Sequence, residues 1–227
     1  MLPVHGFVLA GGKSSRMGAD KALLEFRGRP MVEIAVEKLR NFCVTVSIAG
    51  NRQDLDAFAP VVREMRLDAG PAAGIEAGLE ASEQKWAVFI PVDVPLVPAG
   101  LLQRWVEESL AVENGGFWGS YLVLEGRPQP AFCLLRREAL GVIVRELEGG
   151  ERRLSKIFFA LNAEFGEGSV VKQDVARFAP RAESAKHTME YWFSNVNTRQ
   201  ELAEAEAWGN ICVPKKGSEA SNEFILE

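Results

Sequence analysis

The sequence predicts an α/β fold: a doubly wound, mostly parallel sheet with helices on both faces. Short apolar runs at 6–10, 44–48 and 86–90 show no polar alternation, as strands buried on both faces do. Amphipathic stretches separate these runs, the pattern of β–α–β crossovers. Each run also ends in a segment suited to ligands, and in open α/β sheets ligands bind beyond the carboxyl ends of strands.

Taken in order, the run at 6–10 is the first strand. Pro30 then opens a helix as a first-turn residue, with Ile34, Ala35, Lys38 and Leu39 following at helical spacing. The run at 44–48 is the second strand, and residues 75–81 after Gly74 form a short helix. The run at 86–90 is the third strand. From Gly100, Leu101, Leu102, Trp105, Val106 and Leu110 draw an apolar stripe along another helix. The second half is less regular, with strands expected at 117–124, 131–134 and 169–173. Helices are expected at 136–147, 154–161 and 198–208, the last carrying Leu202 and Ala205. The polar stretch after Val213 reads as a frayed tail. No internal repeat or linker divides the chain, so residues 1–210 are expected to form a single domain and 211–227 a flexible tail.

Bulk composition narrows the function classes. A net charge of −5 over 227 residues argues against general nucleic-acid binding, which needs a basic face. A local Lys/Arg cluster can still hold a small anion inside an acidic whole. Cys43 and Cys133 sit in apolar company and read as buried thiols. With Cys212 they form no Cys-x-x-Cys pair, and only His5 and His187 stand by to assist, so no structural zinc is expected. No basic-then-apolar leader and no run near 18 apolar residues is present, so a cytoplasmic protein without membrane contact is expected.

The strand ends carry the chemistry. After Phe7-Val8-Leu9-Ala10 comes a turn with Gly11, Gly12, Ser14, Ser15 and Gly18 that also holds Lys13, Arg16 and Lys21. Glycines let backbone N–H groups close on a ligand, and successive N–H groups form an anion nest. The expected guest is a polyphosphate. Neither familiar nucleotide loop has this spacing: Gly-x-Gly-x-x-Gly is absent, and Gly12 and Gly18 do not frame a Gly-Lys-Ser/Thr ending. The second strand end, Ala49-Gly50-Asn51-Arg52, offers a small loop and an amide to a base or ribose. The third, Pro91-Val92-Asp93-Val94-Pro95, holds a carboxylate between two backbone-restricting prolines. A carboxylate facing a phosphate loop calls for a cation, and Mg²⁺ is held in that way by one or two carboxylates together with substrate phosphates. The plainer alternative is a turn or helix-capping Asp.

Leu9-Ala10-Gly11-Gly12 through Arg16-Met17-Gly18 to Asp20-Lys21 resembles the signature of the molybdenum cofactor guanylyltransferases, a branch of the Rossmann-like nucleotidyltransferases. Asp68-Ala69-Gly70-Pro71-Ala72-Ala73-Gly74 is similar to that family's Gly-Pro-Leu-Ala-Gly segment. Asp93 falls in its proline-flanked motif, Gln129-Pro130 in its middle segment, and Asn195-Val196-Asn197-Thr198 in its Asn-x-Asn-Thr element. The resemblance spans most of 6–205. It implies that Leu9, Ala10, Gly11 and Gly12 wrap GTP, that Lys21 and Arg16 contact its phosphates, and that Asp93 holds Mg²⁺. It also implies nucleotide contacts from Asp68 and Asp93, and places Asn195 and Asn197 near the metal or the pterin. Residues 1–110 would then bind nucleotide and 111–210 the acceptor.

Two departures stand out. The spacing from Asp68 to Pro71 is shorter than the family pattern, and Glu64 lies nearby. Position 49 is Ala where some members place Asn, which leaves Asn51 or backbone groups for that contact. Arg152 and Arg153 read either as contacts to the acceptor phosphate or as a solvated helix start. Trp118, Tyr121 and Trp192 read as pterin platforms or, more commonly, as core. The implied reaction is attack by the molybdopterin phosphate on the α-phosphorus of GTP with release of pyrophosphate. The implied partners are GTP, the molybdopterin cofactor and proteins that deliver it. The competing readings are a cytidylyltransferase for the same cofactor, a sugar- or alcohol-phosphate nucleotidyltransferase, and a non-catalytic nucleotide-binding homologue.

Overall fold

A computed structural model describes residues 1–11, 21–66, 69–111, 116–179 and 185–211, without the side chains of 185–188, 199 and 208–211. Of the expected tail, 211–227, Ile211 instead closes the last helix, and 212–227 lie outside the described residues. The chain opens with β1 (Leu2–Leu9), followed by a 3₁₀ turn at Lys21–Leu23 and a hairpin of β2 (Glu25–Phe26) and β3 (Arg29–Pro30). Then come α1 (Met31–Arg40), β4 (Cys43–Ala49), β5 (Val61–Val62), α2 (Pro71–Ala81), β6 (Trp86–Pro91) and α3 (Ala99–Ala111). The second half supplies β7 (Gly119–Leu124), β8 (Arg127–Arg136), α4 (Leu140–Glu148), α5 (Leu154–Phe165), β9 (Val170–Asp174), α6 (Ala185–Trp192) and α7 (Arg199–Ile211).

Seven strands form one sheet in the order β5-β4-β1-β6-β8-β7-β9. Only β8 runs against its neighbours; the β5–β4, β4–β1, β1–β6 and β7–β9 pairs are parallel. The doubly wound, mostly parallel expectation is met, and its physical basis is visible in the side chains. Along β1, Val4 and Val8 enter one core with Trp86, Val88 and Ile90 of β6, covered by α1 and α3. Phe7 and Leu9 point the other way and join Ala87 and Phe89 under α2, α4 and α5. Both faces are dry, which is why these strands read as unbroken apolar runs. Among the described residues no helix is long and apolar enough to cross a membrane.

The second half departs from the expected boundaries. Residues 136–139 are not helical in the α sense: Arg136 ends β8 in register with Trp86, Arg137–Ala139 make a 3₁₀ turn, and the helix starts at Leu140. Arg136 stays extended with its guanidinium 4.7 Å from the ring centre of Trp118. Strand β8 begins at Arg127, earlier than its apolar stretch suggests. Its pairing with β7 jumps from Tyr121–Cys133 to Leu122–Gln129, and this irregularity accommodates Pro130, which has no N–H to give the ladder. Cys43 and Cys133 are buried free thiols, as expected. Trp118 stacks on Phe165 at 3.4 Å, Tyr121 on Phe158 at 4.9 Å, and Trp192 is buried, so the three rings serve the packing.

His5 is buried in β1, its Nε2 3.0 Å from Ser47 Oγ and its ring stacked 4.0 Å from Phe7. Among the described residues Nδ1 has no partner, so a second ring proton would find no acceptor there. Burial lowers its pKa from 6.5, with Glu83 acting more weakly the other way. Its neutral form is therefore favoured in the folded state. Stability from this group is complete above pH 6.5 and falls as pH drops toward its folded pKa. Urea titrations should show wild type losing more stability than His5→Phe between pH 7.5 and 5.5. Parallel losses would assign the acid sensitivity to other groups.

Candidate active site

The parallel strands deliver three loops to one edge of the sheet. Leu9 pairs in register with both Ala49 and Pro91, so β1, β4 and β6 stop level with one another. Beyond that line the loops are stitched by backbone bonds. Ala10 N donates to Ala49 O at 2.9 Å, Gly50 N to Val62 O at 3.0 Å, and Val92 N to Leu9 O at 3.2 Å.

On one side of these loops lies a cradle lined by Gly11, Gly74, the Leu9 side chain and the Glu64 carboxylate. A Cβ on Gly11 would fall 1.9 Å from Glu64 Oε1, and one on Gly74 would fall 3.1 Å from the same oxygen and 2.8 Å from Leu9 Cδ2. Glycine at both positions is therefore what lets the Glu64 carboxylate lie over the first loop and the start of α2. Glu64 is half-buried, and burial raises its pKa above the usual 4.5. No described residue donates a hydrogen bond to it. Its loop is pinned by Arg66, whose Nε meets both carboxylate oxygens of Glu76 at 2.9 Å and whose Nη2 lies 3.8 Å from Glu148.

On the other side, Asp93 leaves the end of β6. Lys21 Nζ is 3.4 Å from Asp93 Oδ2 and also donates to Asn197 Oδ1. Three residues far apart in the chain thus meet around one cation. Asp93 O accepts from Val196 N at 2.8 Å, which seats the segment before α7 against the Asp93 loop. Glu201 holds that segment, accepting from Asn197 N at 2.6 Å while its own N–H donates to Thr198 Oγ1 at 3.1 Å. This reciprocal arrangement is a variant of the capping box and explains why Thr198 precedes α7.

The donor set suits a hard divalent cation. Asp93 Oδ2 and Asn197 Oδ1 both face the Lys21 ammonium, so two hard oxygens already bracket a positive charge. Among the described residues no cluster of three His, Cys, Asp or Glu side chains is present.

A profile of the MobA-like NTP transferase domain matches residues 6–164. The chain belongs to the MobA-like NTP transferase family. It is 33% identical over 222 residues to the molybdenum cofactor guanylyltransferase of Acidovorax ebreus, covering 91% of this chain and 97% of that protein. The molybdenum cofactor guanylyltransferase of Polynucleobacter asymbioticus is 30% identical over 220 residues, 90% and 96% of the two chains. Among solved structures, molybdopterin-guanine dinucleotide biosynthesis protein A from Archaeoglobus fulgidus superposes with a TM-score of 0.69 at 21% identity, covering 91% of this chain and 99% of that one. The 4-diphosphocytidyl-2C-methyl-D-erythritol synthase of Anaerococcus prevotii gives 0.65 at 11% identity, with coverage of 91% and 96%. These two share the fold. Membership in the MobA-like family makes this chain a nucleotidyltransferase.

Against that family pattern, Leu9, Ala10 and Gly11 lie at the end of β1 and along the cradle, and Lys21, Asp93 and Asn197 converge as described. Gly12, Arg16 and Asp68 lie outside the described residues. Asn51 and Asn195 are exposed, each in a loop at this edge of the sheet. Arg152 and Arg153 occupy the turn between α4 and α5, which follows Glu148 and so lies on the Arg66 side of the site. There Arg153 is engaged by Glu151 through bonds of 2.9 and 2.7 Å, and the structure does not bring it to Lys21 or Asp93. Glu64, named beside Asp68 because of the shortened spacing, is the carboxylate that the structure sets over the first loop.

Because burial favours the protonated Glu64 carboxyl, its contribution to stability is greatest below pH 4.5 and falls as pH rises through its folded pKa. Glu64→Gln removes this loss. Denaturant midpoints should show the variant gaining on wild type between pH 4.5 and 7.5. A constant difference would mean that the carboxylate is solvated as an ordinary surface group.

Proposed function

We propose that the chain transfers GMP from GTP to the terminal phosphate of a molybdopterin-type molybdenum cofactor and releases pyrophosphate. The observation that carries this reading is the convergence of Lys21, Asp93 and Asn197 beside a cradle roofed by one under-satisfied carboxylate. An oxygen of the acceptor phosphate attacks the α-phosphorus in line. The new P–O bond forms as the α–β bridge breaks, and pyrophosphate leaves with the electron pair. No protein nucleophile is needed; alignment and charge stabilisation carry such a step.

Asp93, with the Asn197 carbonyl beside it, would hold Mg²⁺, which supplies charge neutralisation across the phosphates when bound. Beside that carboxylate, Lys21 would offset charge building on the leaving pyrophosphate, and the reading assigns Arg16 to the phosphates and Gly12 to the nucleotide. Arg152, Arg153 and Asn195 are assigned to the acceptor in this reading, and Asn51 and Asp68 to the nucleotide.

Glu64 supports guanine. Guanine presents N1–H and N2–H side by side, two donors matched to the two oxygens of one carboxylate. Cytosine sets its N3 acceptor beside its N4–H donor, which places a lone pair against the anion.

Thermal-shift measurements with Mg²⁺ should give the largest stabilisation for GTP among GTP, CTP, ATP and UTP; preference for CTP would overturn the guanine assignment. Asp93→Asn and Lys21→Met should each lower pyrophosphate release with GTP and molybdopterin by about a hundredfold or more. Near-normal release from Asp93→Asn would remove Asp93 from the mechanism.

A further inference from the structure

Among the described residues, three hydrogen bonds from elsewhere in the chain hold the backbone of the loop that carries Asp93. Two are backbone bonds already described, Val92 N to Leu9 O and Val196 N to Asp93 O. The third comes from a side chain: Lys38 Nζ, from α1, donates to Pro95 O. Pro95 is buried, and among the described residues its carbonyl accepts no backbone donor. Proline at this position fixes the backbone but offers no N–H of its own, so its carbonyl is the group by which a neighbour can grip this part of the loop.

Lys38 is an unexpected residue for that place. It extends from a helix whose Ala35 and Leu39 share one apolar core with Val94, Leu96 and Val97 of the same loop. Among the described residues no carboxylate pairs with it, and burial pushes its ammonium down to about 7. A sunken amine without a counter-ion is unfavourable for stability, and an apolar side chain of similar length would suit the packing better. Its hydrogen bond survives either protonation state, because –NH₃⁺ and –NH₂ both donate. What the amine supplies here is therefore a hold on the loop.

We propose that Lys38 is a positioning residue for nucleotidyl transfer: through the Pro95 carbonyl it fixes the loop that aims Asp93 at the phosphates. The inference rests on the reading of Asp93 given under the proposed function. Lys38 touches neither substrate nor reacting atoms in this scheme, and it acts through the backbone two residues beyond Asp93.

The test uses the full chain with Lys38→Met and Lys38→Arg. Lys38→Met should keep or raise the melting temperature, since a sunken amine is replaced by a thioether of similar length. In the nucleotide-free protein, amide exchange across 92–97 should accelerate by about tenfold while β1 and α4 are unchanged. Turnover with GTP should fall by about ten- to a hundredfold with KM for GTP held within about twofold, and Lys38→Arg should restore part of both losses. Unchanged exchange in 92–97 would overturn the proposal. So would unchanged kcat despite faster exchange, or a kcat loss that merely follows a lowered melting temperature. Wild type inactive with all four nucleotides would instead overturn the functional reading, and the exchange data alone would then decide whether Lys38 holds the loop.

Discussion

Everything at the site depends on β1, β4 and β6 ending level. Leu9 faces Ala49 on one side and Pro91 on the other, and the first backbone groups past that line bond across the gap rather than along their own strands. Parallel pairing sets this register, and the buried alternation of Val4, Val8, Phe7 and Leu9 locks it, because a one-residue slip would turn each side chain to the wrong core. A rigid line of strand ends lets short loops hold chemistry without folding upon themselves. Gly11, Glu64 and Asp93 are placed by where the strands stop.

The site opposes the core in its use of polarity. Inside, each face of the sheet is saturated with aliphatic and aromatic contacts. At the edge, among the described residues, the half-buried Glu64 carboxylate has no donor and the Lys38 amine no counter-ion. Such groups lower the stability of the resting protein, and polar strain of this kind concentrates where a ligand or a moving charge later satisfies it. The Lys21–Asp93–Asn197 contact is the balanced part, in which a basic and an acidic group neutralise each other in the absence of substrate.

Legibility in the sequence followed how local each signal was. The first-half strands were readable because both of their faces are dry. Strand β5 and the β2–β3 hairpin, each strand two residues long, leave no period to detect. The start of β8 was hidden by Arg127, Pro128, Gln129 and Pro130, which interrupt the apolar run while the backbone stays extended. Lys21, Asp93 and Asn197 each sit in a short motif and could be named, but nothing local says that they meet. Glu64 belongs to no motif, since its position follows from the pairing of β5 with β4. Lys38 fell in with the apolar spacing of α1, where a long methylene stem looks like any core-facing residue.

The bond from Val196 N to Asp93 O has a consequence for the order in which the molecule comes into being. Gly11, Glu64 and Asp93 are all encoded before residue 100, yet Asp93 acquires its last backbone anchor, and Lys21 its amide partner, only from 196–197. Glu206, accepting from Arg27 N at 2.8 Å, draws the same late segment over the hairpin that follows Lys21. A nascent chain therefore carries Gly11, Lys21, Glu64 and Asp93 before the segment that contacts both Lys21 and Asp93 exists. A polypeptide ended before residue 196 keeps Gly11, Lys21 and Asp93 and lacks the two contacts that join Lys21 and Asp93 to the later segment.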